Sequence, residues 1–181
     1  MKRIVVIGTS GCGKTTLAQT LARLIGAPHV ELDAIHWKPN WTECSTEEML
    51  SKLDAATASS RWVIDGNYRK TRELTWSRAD TFVWLDYSMT VIFTRVFMRT
   101  MRRWWNCELL WGHSRERLRM QFFHQDSLFL WVINTWRIHR RDYPKELRMQ
   151  AKHGKRVLRF HTPRQTERWL ARNEHLAASY R

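Results

Sequence analysis

The 181-residue chain is short of acidic side chains, of cysteine and of long apolar runs, and each shortage narrows what it can be. Only 17 aspartates and glutamates stand against 31 lysines and arginines, for a net charge of +14. Such a field attracts polyanions: nucleotides, phosphorylated small molecules or nucleic acid. The three cysteines, Cys12, Cys44 and Cys107, are odd in number and lack C-x-x-C spacing. That argues against a disulfide framework and a zinc site, and it fits a reducing compartment. The apolar run near the start, Ile4 to Ile7, is four residues long, too short for a signal peptide. The longest later run, Leu128 to Ile133, is six residues, against about 20 needed to cross a bilayer. A cytoplasmic protein without a membrane partner is therefore expected. With no internal repeat and no flexible linker, residues 1–181 read as one domain.

Eleven tryptophans are the conspicuous surplus. They could fill a core, stack on a base or form a partner surface, and composition does not choose. The basic excess is uneven: from Arg95 to Arg159 there are 16 Lys/Arg against 5 Asp/Glu, a surplus of 11. Trp, Phe, Leu and Met are interleaved throughout, so this is no solvated tail.

The segment with a specific chemistry is Gly8-Thr9-Ser10-Gly11-Cys12-Gly13-Lys14-Thr15, which satisfies G-x-x-x-x-G-K-[ST]. A strand-length apolar run precedes it, and Leu17, Leu21 and Leu24 follow at helical spacing. Glycines let backbone N–H groups close around a polyphosphate, and the opening helix adds its own free N–H groups and positive dipole end. The expected nucleotide contacts are Gly8, Ser10, Gly11, Cys12, Gly13, Lys14, Thr15 and Thr16. Lys14 would reach the β- and γ-phosphates of ATP, and the Thr15 hydroxyl would bind Mg²⁺.

Apolar runs alternate with helical patterns along the chain, which predicts βαβ units and a parallel sheet. The expected strands are Arg3–Ile7, His29–Leu32, Arg61–Ile64, Thr81–Leu85 and Lys155–Phe160. Ser45 with Glu48 three residues on forms a capping box opening a helix to about Ser59. Further helices are expected from Met89 to Trp105, from Arg115 to Asp142 with Tyr143-Pro144 as its stop, and from Pro163. Three strands finish in aspartate: Asp33, Asp65 and Asp86. Ligands bind at the carboxyl ends of parallel strands. Asp65, with Gly66 giving room beside it, is the expected metal-side carboxylate, and Asp86 is read as a cap for the following helix.

Gly8-to-Thr15, Asp65-Gly66-Asn67-Tyr68-Arg69 and Phe82-Val83-Trp84-Leu85-Asp86 together resemble the adenylate-kinase-related P-loop kinases. More closely, Glu31-Leu32-Asp33-Ala34-Ile35-His36-Trp37, Asn40-Trp41, Asp65-Gly66-Asn67-Tyr68 and Arg137-x-His139-Arg140-Arg141-x-x-Pro144 resemble bacterial proteins known as topology modulation proteins, over nearly the whole chain. The resemblance implies an α/β P-loop NTPase three-layer sandwich: a five-stranded parallel sheet, helices on both faces and a helical lid. It also implies an acceptor-binding arm at about 33–60 and a basic lid region at about 95–142. Carried over, Asp65 sits in the metal's outer shell and Arg69 faces the acceptor. Lid arginines would come from Arg95, Arg99, Arg102 or Arg103 and from Arg137, Arg140 or Arg141. Arg137 and Arg141, four apart on one helix face, are taken as the catalytic pair.

The chain departs from nucleoside monophosphate kinases in carrying Asn67-Tyr68 where they carry Phe-Pro. It also lacks an arginine soon after the second strand, where Asp33 is followed by Ala34-Ile35-His36-Trp37. A phosphate acceptor is already an anion and needs arginine clamps, whereas a hydroxyl must lose a proton, which a carboxylate can take. Asp33 is accordingly expected to act as base or acceptor-positioning group, with His36 and Trp37 shaping the pocket. The reading that results is an ATP- and Mg²⁺-dependent phosphotransferase acting on a small-molecule or nucleotide acceptor. The alternative is a nucleic-acid-binding P-loop ATPase that acts on DNA topology, against which no helix-turn-helix, zinc or RNA-binding signature is found. Oligomeric state is left open.

Overall fold

Residues Ile4 to Ile7 and Trp62 to Ile64 are apolar at every position, the pattern of strands covered on both faces rather than one. The computed structural model describes residues 1–39, 42–105, 109–110, 114–115 and 128–173, and at 103–104, 109–110, 114–115 and 128–129 only their backbone. The main sheet contains β1 (Arg3–Gly8), β2 (His29–Glu31), β5 (Trp62–Asp65), β6 (Thr81–Leu85) and β9 (Arg156–Phe160). All pairings in it are parallel, in the order β2-β5-β1-β6-β9. The expected five-stranded α/β architecture is what forms.

Alternation along the strands divides the core in two. Ile4, Val6, Val63, Val83, Leu85 and Phe160 face α1 (Lys14–Ile25), α5 (Met89–Trp105) and α7 (Pro163–Arg172). Val5, Ile7, Trp62, Ile64, Phe82 and Trp84 face α3 (Thr46–Ala56) and α4 (Arg72–Arg78). Each helix contributes a stripe, such as Leu17, Leu21 and Ile25 on α1 and Ile92, Val96 and Thr100 on α5.

The long helix α6 (Leu128–Lys152) contributes to both clusters. Val132 and Trp136 pack with the first, Tyr143 and Leu147 with the second. It therefore passes from one face of the sheet to the other.

Several expectations are corrected. Tyr143-Pro144 does not end this helix, which runs on to Lys152 with Pro144 inside it. Interior proline costs about 3 kcal/mol, but Tyr143 and Leu147 are buried on the sheet on either side of it, so packing outweighs the local penalty. The helix stops at Gly154, where Lys155 N–H reaches the Gln150 carbonyl and Gly154 N–H the Ala151 carbonyl, a Schellman turn. Arg115 is not helical: Ser114–Arg115 (β8) pairs with Leu109–Leu110 (β7). Residues 116–127 of the expected helix lie outside the described residues. The second strand ends at Glu31, and Asp33 falls in the short helix α2 (Leu32–His36).

A hairpin of β3 (Trp37–Lys38) with β4 (Thr42–Glu43) and the helix α4 were not foreseen. Ser45 caps α3 by accepting from Glu48 N–H at 3.1 Å, but the Glu48 carboxylate turns to Lys38 and Lys52, so the reciprocal half of the box is not made. Among the described residues no helix is long and apolar enough to cross a membrane.

The β5 end passes α2 closely. A Cβ on Gly66, whose φ is +138°, would lie 2.6 Å from the Leu32 Cβ. Gly66→Ala is expected to lower stability by about 2–4 kcal/mol in urea unfolding. A loss under about 0.5 kcal/mol would contradict so tight an approach.

Candidate functional site

The phosphate-loop sequence lies at the carboxyl end of β1, the strand on either side of which the chain order reverses. Two contacts fix its backbone. Gly8 N–H donates to Asn67 Oδ1 at 3.2 Å while Asn67 Nδ2 donates to the Gly8 carbonyl at 2.5 Å. The amide thus continues the β1–β5 ladder past the last strand residue. At Gly11, where φ is +83°, a Cβ would stand 2.3 Å from Val96 Cγ2, so α5 packs directly on the loop backbone. From the same helix Arg95 Nη1 donates to the Cys12 carbonyl at 2.9 Å. The Cys12 side chain is buried in the core, and that burial pushes its thiol up, so it is a packing residue with no thiolate character. Its N–H donates to the Thr9 carbonyl within the loop.

Lys14 Nζ reaches the Thr9 carbonyl at 3.3 Å. Ser10 is half-buried in the loop, and Thr16 is exposed in the first turn of α1. Thr15 Oγ1 donates to Asp65 Oδ2 at 2.7 Å, which brings the two expected metal-side residues together. His29 Nε2 holds the other oxygen, Oδ1, also at 2.7 Å. A hydroxyl backed by a buried carboxylate is a set of hard oxygen donors suited to Mg²⁺ and its waters. No cluster of three or more His, Cys, Asp or Glu able to hold a metal exists among the described residues. The donor set therefore fits a cation that takes its remaining ligands from a polyphosphate and water.

Where α6 crosses between the faces, His139 meets the loop: its Nδ1 lies 3.3 Å from Thr9 Oγ1. The ring stacks on Tyr143 at 4.6 Å and 8°. Burial, reinforced by the Lys14 and Arg72 charges, pushes its pKa down to about 4.

On the other side of β5, Tyr68 OH donates to Asp33 Oδ1 at 2.9 Å. Burial and the Asp33 charge push the phenol's pKa up, so it stays a donor. His36 lies against Tyr68 (4.6 Å) and Trp37 (4.7 Å). It is buried, with Nε2 3.5 Å from Glu43 and Nδ1 without a hydrogen-bond partner among the described residues. Burial, then the Lys70 charge, lowers its pKa.

The basic residues are mostly engaged. Arg69 and Arg141 share Asp142, at 3.0 and 2.7 Å, while Arg137 is exposed on α6. Arg72 Nη1 donates to both oxygens of Glu146, at 2.7 and 2.8 Å. Arg99 and Arg102 lie on α5, and the side chain of Arg103 is outside the described residues. Asp86 does not cap α5. Its buried carboxylate takes Arg159 at 2.6 Å, Arg140 at 3.1 Å and His161 at 3.3 Å, while the Ser88 hydroxyl faces Val91 N–H. Two guanidinium groups and an imidazole converge on this strand-end carboxylate, so it is engaged away from the helix N-terminus.

A twisted parallel sheet whose glycine loop and Lys-Thr pair open a helix at the switch point defines a P-loop kinase fold. A family model described as the tRNA ligase kinase domain matches residues 3–97, and the chain belongs to that family. Among solved structures it is similar to a gluconokinase from Sinorhizobium meliloti 1021, 20% identical over 98% of this chain and 92% of that one, with a TM-score of 0.56. It is also similar to shikimate kinase from Bacteroides thetaiotaomicron, 18% identical over 98% of each chain, TM-score 0.56. At those identities the likeness is one of fold. A short stretch matches the ATP-dependent protease ATPase subunit HslU of Methylorubrum extorquens (strain PA1), 54% identical over 33 residues. That stretch is 18% of this chain, which spans 8% of the length of that relative.

Sequence reading missed His29, His139 and the clamp made by Asn67. Asn67-Tyr68 was visible as a departure from Phe-Pro, but its contacts were not. His29 carries no local signal and His139 stood in a family-like motif without a role, because their partners lie 36 and 130 residues away.

Native His139 titrates near pH 4, whereas the unfolded chain protonates it at its ordinary 6.5. Between those values the unfolded state binds more protons, so this contribution is complete above about pH 6.5 and is lost as pH falls towards 4. The full effect is on the order of 3 kcal/mol. His139→Phe, which keeps the ring on Tyr143, is expected to flatten the stability profile in that window; an unchanged slope would contradict the assignment.

Proposed function

We propose that the protein is an ATP- and Mg²⁺-dependent phosphotransferase that moves the γ-phosphoryl group to a hydroxyl of a small-molecule or nucleotide acceptor. The observation that carries this reading is the Asp33 carboxylate. It stands two residues beyond Glu31, the register partner of Asp65, and Tyr68 orients it, so it belongs to the same carboxyl edge as the phosphate loop. In this reading the acceptor oxygen attacks the γ-phosphorus, the bond to the β,γ-bridging oxygen breaks, ADP leaves, and the acceptor's proton passes to Asp33. The loop N–H groups and Lys14 bind the β- and γ-phosphates. Bound through Thr15 with Asp65 behind it, Mg²⁺ would neutralise charge on those oxygens.

His36 and Trp37 are proposed to line the acceptor pocket. A buried ring nitrogen without a partner costs about 1–3 kcal/mol, which a hydroxyl-rich ligand would relieve at His36 Nδ1. Arg69, Arg137 and Arg141 are proposed to close on the transferring phosphoryl group, Arg69 and Arg141 by leaving Asp142. Residues of about 33–60 would form the acceptor arm and those of about 95–142 the lid, in a protein working in the cytoplasm.

The net charge of +14 favours a second reading, in which the partner is a polynucleotide and the chain is a nucleic-acid-dependent ATPase. It is the weaker one, because Arg95, Arg140 and Arg159 are already bound to groups of the chain itself.

The test is Mg²⁺-dependent ADP release over a panel of nucleosides, nucleoside monophosphates, hydroxyl-bearing metabolites and duplex DNA, with Lys14→Ala as the blank. A large increase with one small acceptor is expected, and stimulation by DNA alone would sink the kinase reading. With that acceptor, Asp33→Asn should retain nucleotide binding and lose about 10²–10⁴-fold in turnover. Full turnover in Asp33→Asn would remove the base from the mechanism.

A further inference from the structure

His29 opens β2, the edge strand of the sheet, and is paired in register with Val63. Its ring points along β5 to Asp65, two residues further on and on the same face, and the nitrogen that arrives is Nε2. The Asp65 carboxylate is 3% exposed and accepts one bond at each oxygen: Thr15 Oγ1 at Oδ2 and His29 Nε2 at Oδ1, both at 2.7 Å. A carboxylate only accepts, so His29 must present Nε2–H. No other hydrogen bond to Asp65 is made by a side chain among the described residues.

This geometry has a consequence for a metal-side carboxylate. With only Thr15 as partner, Asp65 could rotate about its side-chain torsions, swing towards the Lys14 ammonium or offer an oxygen to a cation directly. A second donor on the opposite oxygen fixes the plane of the carboxylate. It leaves Oδ2 to hold the Thr15 hydroxyl hydrogen, so the lone pairs of Thr15 Oγ1 are what that residue offers a cation. We propose that His29 is a positioning residue for the magnesium site: it locks Asp65, and through Asp65 the Thr15 hydroxyl, in the orientation that receives Mg²⁺ with a nucleotide. The inference rests on the phosphotransferase reading above. Partners of this kind typically change metal affinity by about 10–100-fold when removed.

The experiment compares two substitutions of similar size and polarity that differ in reach. His29→Gln can place an amide N–H near the position of Nε2, whereas the amide of His29→Asn ends short, near the position of Nδ1. The affinity for ADP is measured by tryptophan fluorescence in EDTA and in saturating Mg²⁺, and the ratio of the two dissociation constants is the readout. General damage to the fold weakens both constants and leaves their ratio alone. Thermal unfolding of each variant reports its folding separately. The wild type is expected to bind ADP more tightly with Mg²⁺. His29→Gln should keep the ratio within about twofold, and His29→Asn should reduce it about tenfold while its EDTA constant stays near wild type. A ratio in His29→Asn equal to the wild type's overturns the role of His29 and leaves the phosphotransferase reading standing. A wild type whose ADP affinity does not respond to Mg²⁺ overturns both.

Discussion

A parallel sheet buried on both faces leaves polar chemistry nowhere to go but the ends of its strands, and the organisation of this protein follows from that constraint. Ile4 through Ile7 occupy both faces with apolar groups, so the first residues free to be polar are those after Ile7, Ile64 and Leu85. Three aspartates stand at that edge, and each has a different set of partners. Asp65 takes Thr15 and His29, Asp33 takes Tyr68, and Asp86 takes Arg140, Arg159 and His161. Neighbouring strands place them, but the donors that arrive from elsewhere give each carboxylate its character.

Helix α6 ties this edge together. Its first half packs with the α1 side of the sheet and its second half with the α3 side, so its middle must pass the strand ends. His139 and Arg140 lie in that middle, one against Thr9 of the phosphate loop and the other against Asp86. The cost of Pro144 is tolerated because Tyr143 and Leu147 bury the second half. The strand edge supplies one anion, Asp86, to Arg140 of the helix and Arg159 of β9, while the helix's own Asp142 and Glu146 engage Arg141 and, from α4, Arg72. The surplus of positive charge seen in the sequence is thus partly internal wiring.

Much of this was legible before any coordinates. The strand–loop–helix of Gly8 to Thr15 and the five strands were readable, because each rests on local pattern, whereas the Thr15–Asp65 hydrogen bond was not. The stop at Tyr143-Pro144 failed because a local penalty of a few kcal/mol was weighed without the burial opposing it. Asp86 was misread as a cap because its three partners come from distant positions: Arg140, Arg159 and His161 are separated from it by 54, 73 and 75 residues.

Consecutive residues were enough to read the strands, their apolar faces and the glycine loop at the carboxyl end of the first strand. Those features depend on backbone geometry and hydrophobic periodicity, which are written in consecutive residues. Only the tertiary structure decided which donor each strand-end carboxylate receives, that His29 and His139 flank the loop, and that α6 crosses the edge instead of ending there. These are contacts between residues tens of positions apart, and their energies depend on burial and on distance, neither of which exists until the chain has folded.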